Sequence, residues 1–213
     1  MTMSSSASAS ASGPVPTTLG EEILLLSLDD STGEAKLPLR TPFAIAAAAL
    51  LERALVGGPE DAALPDDAEK WINEQRGAEY DKALRGLLDK GLVREEKRRL
   101  LLVFRTTVHP EVDGTVEAAL RGRLAAVVLE GREPDHRTAA LITLLHHADL
   151  RELAFPDLEK EQSTAVERRM TEIAERHWAD PALRRMAETA AATSAALTAA
   201  TMATTVVIIT AVT

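Results

Sequence analysis

The chain has 213 residues, is 46% hydrophobic and carries a net charge of -9, which suits one domain with a sizeable core and disfavours a polyanion held along the whole surface. It has no cysteine, so disulfides and thiolate metal sites are excluded. Three Phe, two Trp and one Tyr are too few to build stacking platforms for single-stranded nucleic acid, and the core must be aliphatic.

Residues 1–16, MTMSSSASASASGPVP, are Ser/Ala-rich with neither a basic nor an apolar signal region. They read as a disordered tail, followed by one domain over 17–213 that is expected to stay in the cytoplasm. Leu19 to Leu28, LGEEILLLSL, is an apolar run stopped by a turn cluster at Asp29 to Gly33. Its leucines favour a short helix, although its second half also fits a strand. Glu21-Glu22 and Asp29-Asp30 lack a partner motif and are expected to be solvated caps. Thr41-Pro42 reads as an N-cap followed by proline at the first helical position, and Gly57-Gly58 as the end of that helix. Nothing from Pro42 to Leu51 is charged, so this helix is expected in the middle of the fold.

After a loop from Pro59 to Ala68, a helix beginning near Glu69 carries Trp71 and the apolar set Leu84, Leu87, Leu88, and ends at Lys90-Gly91. Trp71, Arg76 and Tyr80 either form an aromatic and cationic lip or leave Trp71 in the core. Val93 starts an extended run with a turn expected at Glu95 to Arg98 and a second, apolar arm from Leu100 to Phe104. Between Arg76 and Arg105 stand nine Lys/Arg against five acids, a basic island on an acidic chain. Its hairpin tip is either solvated or in contact with a membrane or a partner chain.

His109-Pro110 to Gly114 is a turn, and Val116, Leu120, Leu124, Val127 and Val128 mark one face of the next helix. Glu133-Pro134-Asp135 starts another, apolar from Ala139 to Leu145 and ending around Phe155-Pro156. Thr164 to Trp178 and Asp180-Pro181 onward give two more. Thr189 to Thr213 is uncharged, and a packed terminal helix, an interfacial or inserted segment, and disorder all fit it. There is no glycine-rich phosphate loop, G-x-S-x-G elbow or H-E-x-x-H pair, so no catalytic residue, metal or cofactor is expected. His146, His147 and Asp149 are the one cluster to weigh, and hydrogen-bonded packing, with His146 the more buried, suits them better than ligation.

Four blocks in order resemble the Golgi phosphoprotein 3 family, whose eukaryotic members are peripheral membrane proteins: Leu19 to Gly33, Ala49 to Gly57, Leu87 to Pro110 and Leu141 to Phe155. The resemblance implies a mostly α single domain, a helical bundle around a buried central helix with one projecting β-hairpin. It also implies recognition of phosphatidylinositol 4-phosphate, with the hairpin supporting membrane contact and self-association. The family's head-group positions, a tryptophan and three basic residues, fall here on Leu37, Ala46, Gly77 and Tyr80, and none matches. Arg40, Arg76 and Lys82 lie close by in sequence and can supply displaced charge to a phosphate, while Arg98, Arg99, Leu100 and Leu101 stand near the hairpin tip. The Ala/Arg/Leu-rich composition has a bacterial style, so no Golgi cargo role is implied.

The leading expectation is a non-enzymatic protein that docks reversibly on anionic lipid from the cytoplasm, with a homo-oligomer formed through the hairpin. A winged-helix-like DNA binder, with Arg85 on the helix and Arg98-Arg99 on the wing, is disfavoured by overall acidity. A hairpin scaffold pairing with another chain through a strand edge is the third reading.

Overall fold

The computed structural model describes residues 15–29, 32–55, 62–100 and 104–189. Within them lie α1 (Leu19–Ser27), α2 (Thr41–Leu55), α3 (Ala68–Asp89), β1 (Glu96–Leu100), β2 (Phe104–Val108), α4 (Thr115–Val128), α5 (His136–His147), α6 (Arg151–Ala154) and α7 (Lys160–Glu175). A further helix, α8, occupies 180–189. The fold is mostly α with one two-stranded antiparallel hairpin, as expected. The tail over 1–14, the Gly57-Gly58 stop and the uncharged segment from 190 lie outside the described residues.

Every residue of α1 is buried, and α1 packs on α2, α3, α4, α5 and α6. Its run of Leu and Ile leaves no polar stripe for water, so the helix must be covered on all sides. A capping box holds its start: the Glu21 N–H donates to Thr18 Oγ1 at 3.1 Å and the Thr18 N–H to Glu21 Oε2 at 2.7 Å. The all-round burial expected of α2 thus belongs to α1, whereas α2 keeps a partly exposed side at Phe43, Ala49 and Arg53. Thr41 does not cap α2 either. Its own N–H is already bonded to the Leu37 carbonyl, and its hydroxyl donates back to the carbonyls of Leu37 and Lys36, because the chain has turned one step earlier.

Buried α1 also overturns the expectation that Glu21 and Glu22 are solvated. They are 4% and 3% exposed, and cations from distant elements reach them. Lys90 pairs with Glu21, while Arg123 and Arg137 reach Glu22 at 2.7 and 3.0 Å. Buried carboxylates must be paired, and each of these is.

The predominantly polar α3 buries only Ala68, Ile72, Ala83 and Leu87. It ends as expected at Gly91, whose φ of +66° lets the Leu92 N–H return to the Leu87 carbonyl at 3.0 Å. The hairpin differs from expectation. Glu96 pairs with Val108, Arg98 with Thr106 and Leu100 with Phe104, so the chain reverses after Leu100 and Glu95 to Arg98 is not the turn. The cause lies at the base: Val93, 2% exposed, bridges Glu111, and this anchor fixes the register of every later pair.

Buried Leu120, Leu124, Val127 and Val128 mark the inner face of α4 as expected, joined by Glu117, whose carboxylate takes Arg121 Nε at 2.7 Å. Asp135 caps α5 through the Thr138 N–H at 2.7 Å. The expected single helix to Phe155 is broken at Asp149, which adopts a left-handed φ of +52° and starts the turn into α6.

Candidate anion-binding surface

The segment Lys36 to Phe43 carries the chain from α1 into α2 through a tight, locked turn. Leu37 sits at φ +49°, a conformation that costs an L-residue about 1 kcal/mol or more. Its carbonyl accepts the N–H groups of Arg40 and Thr41 at 3.0 and 3.1 Å, and buried Thr41 braces the turn from inside. Leu37 packs against the core, so Pro38, Leu39 and Arg40 stand outside.

Arg40 reaches across to the turn between α5 and α6, where its guanidinium meets the Asp149 carboxylate and also donates to the Asp149 carbonyl at 3.1 Å. Half of its side chain remains exposed. From α3, the Arg76 guanidinium lies 4.4 Å from the centroid of the Phe43 ring, in the first turn of α2. No carboxylate of the described residues pairs with Arg76. Lys36 adds a third cation, tethered at 3.6 Å to Asp29. Arg40 and Arg76 therefore share the N-terminal end of α2, where the helix dipole also favours an anion.

Lys82 does not join them. It points to Glu79 at 3.4 Å and lines, with Glu79, Glu52 and Gly86, a cleft of about 350 Å³ between α1, α2 and α3. The aromatic and cationic lip of Trp71, Arg76 and Tyr80 does not form, since Trp71 carries Arg53 over its ring at 4.5 Å. Tyr80 is half-buried, and desolvation followed by the nearby Asp81 charge raises its pKa. Of the other resemblance positions, Ala46 is fully buried and Gly77 exposed, so neither offers a group to a ligand.

On the hairpin, Arg98 lies in β1, where Glu96 takes its Nε at 3.4 Å. Arg99 and Leu100 are β1 residues paired with Arg105 and Phe104, and Leu101 lies outside the described residues. Lys90 is committed to Glu21, and Arg94 faces Glu96 at 3.6 Å. Lys82, Lys90, Arg94 and Arg98 of the basic island are thus tied to acids, whereas Arg76, Arg85 and Lys97 meet no carboxylate among the described residues, and of these three Arg76 is the one that lies at the start of α2.

The histidine cluster is structural. His147, not His146, is the more buried: its Nε2 meets Asp180 Oδ1 at 2.8 Å, and Asp180 also takes Arg184. His146 meets Glu167 at 3.3 Å, while Asp149 goes to Arg40. Burial, then the charge of His147, lowers the pKa of His146; burial, then His136, pushes His177 down to about 4. No group of three metal-ligating side chains occurs among the described residues, and no described helix is long and apolar enough to cross a membrane.

The family model described as Golgi phosphoprotein 3 matches residues 60–190, more than half of the chain, from α3 through the hairpin to α8.

Proposed function

This chain belongs to the Golgi phosphoprotein 3 family, and from that premise we propose that it is a non-enzymatic peripheral membrane protein that binds an anionic phospholipid head group like that of phosphatidylinositol 4-phosphate. The carrying observation is Arg76: a guanidinium stacked on Phe43, without a carboxylate partner among the described residues, beside Arg40 at the start of α2. A phosphate there would accept the Arg forks and lie at the positive end of the helix dipole. Lys36, Lys82, Arg94 and Arg98, each tied to an acid, add only a weaker, diffuse attraction near an anionic surface. The protein docks reversibly from the cytoplasmic side.

The test is co-sedimentation of the full chain with vesicles that are neutral, generically anionic, or doped with phosphatidylinositol 4-phosphate. Preferential sedimentation with the last, lost in Arg76→Glu, is the expected result. No sedimentation with either anionic set refutes the reading.

One observation favours a second activity, self-association. The hairpin is a two-stranded sheet with outer edges on both strands, and its strands scarcely touch the helices. Such a ribbon gains from strand addition by another copy. Sedimentation equilibrium of the full chain and of Arg98→Glu tests it, with a monomer at all concentrations as the opposing result.

A further inference from the structure

Leu39 is 83% exposed, the most exposed of the large apolar residues described, and its surroundings set it apart from the others. Val112, at 51%, stands between Glu111 and Asp113, and Leu129, at 54%, precedes Glu130. Leu39 instead stands between Lys36 and Arg40, with Arg76 over Phe43 on the same end of α2. Lys36 and Arg40 are tied to Asp29 and Asp149, so Arg76 is the cation there that no described acid balances, and it is what would draw an anionic lipid surface to this end of α2.

The turn is also rigid. Leu37 at φ +49°, the two bonds to its carbonyl, the Lys36 N–H donating to the Ser27 carbonyl at 2.6 Å, and the Arg40 to Asp149 pair fix Leu39 in the outward position. The turn packs Leu37 and Thr41 inward, yet it displays Leu39 to water, where that side chain packs against nothing.

We propose that Leu39 is an apolar wedge that enters the acyl region of an anionic bilayer while Lys36, Arg40 and Arg76 sit at the phosphate level. This rests on the membrane-docking reading and adds to it a specified point and depth of contact. Snorkelling of the flanking Lys and Arg stems lets the leucine pass below the head groups without burying charge. Because the wedge is preformed, little conformational entropy is lost on insertion.

The chain has no cysteine, so Leu39→Cys can be labelled at one site with an environment-sensitive fluorophore. On vesicles of phosphatidylcholine with phosphatidylserine, the label's emission is expected to rise and shift to the blue, and a label at Val112→Cys to stay unchanged. Leu39→Ser is expected to lower vesicle partitioning about tenfold with an unaltered thermal midpoint, since the removed side chain packs nothing. An unmoved emission at position 39, or wild-type partitioning of Leu39→Ser, while the wild type sediments, overturns the wedge and leaves docking intact. Failure of the wild type to sediment overturns docking and the wedge together.

Discussion

Glu22 shows how much a single buried carboxylate can organise. Its oxygens take Arg123 from α4 and Arg137 from α5, while Arg137 also binds the Thr17 carbonyl and Glu52. Three segments and the entry to α1 therefore meet at one side chain. Glu22→Ala leaves Arg123 without its carboxylate and Arg137 with Glu52 alone, and is expected to cost about 3 kcal/mol, read from urea unfolding. Nothing in the local sequence discloses this, because the partners stand 101 and 115 residues away. The histidines pose the converse case, burial without charge. His177 titrates near 4 when folded, against an ordinary 6.5, and His146 is lowered too. On acidification the unfolded chain takes protons first, so this stability is complete above pH 6.5 and is lost as pH falls towards 4. For His177 the loss is on the order of 2 kcal/mol once solvent screening is allowed for. Thermal midpoints from neutral to acid pH should fall, and His177→Gln should flatten the decline.

At the scale of elements, the end of α3 illustrates propensity overruled by packing. Alanine is a better helix residue than glycine by about 1 kcal/mol, so Gly86→Ala taken locally would stabilise α3. A Cβ at Gly86 would nevertheless stand 2.0 Å from Glu21 Oε1, inside a carboxylate already held by Lys90. The variant must displace Glu21 from its pair, and a net loss of about 2 kcal/mol is expected from chemical denaturation. The sequence displayed the glycine but not the acid against it. The hairpin teaches the same lesson. Its existence is legible from the strand-forming residues after Gly91, but β1 begins at Glu96 and not at Val93, which makes only an isolated bridge, and the charged run looks like a turn although Glu96 to Arg98 are strand. Register was set by the Val93 to Glu111 bridge, a long-range contact that no local composition encodes.

Across the whole molecule, periodicity and capping signals placed most helices within a few residues. Composition, by contrast, could not say which apolar helix would sit innermost, since α1 and α2 are both short and aliphatic. The candidate site divides in the same way. Arg40 and Arg76 stand close in sequence to the family's pocket positions, and the fold brings both to the start of α2; Lys82, equally close in sequence, turns to Glu79. That difference makes the docking surface testable in detail. Reversing Arg76, which meets no acid among the described residues, removes about 2 kcal/mol of attraction, or roughly thirtyfold in partitioning onto anionic vesicles. Lys82→Glu should cost only a few-fold, because Glu79 already offsets that lysine. Salt separates the remaining contributions. With a net charge of -9 the chain as a whole is repelled by an anionic bilayer, and only its basic face can approach. Shortening the screening length from about 10 Å at 0.1 M to about 3 Å at 1 M weakens that long-range attraction, while an inserted leucine is indifferent to it. Wild-type partitioning should therefore fall with salt to a plateau, and Leu39→Ser should fall through it to the baseline. Identical salt curves for the two proteins would mean that docking is electrostatic throughout.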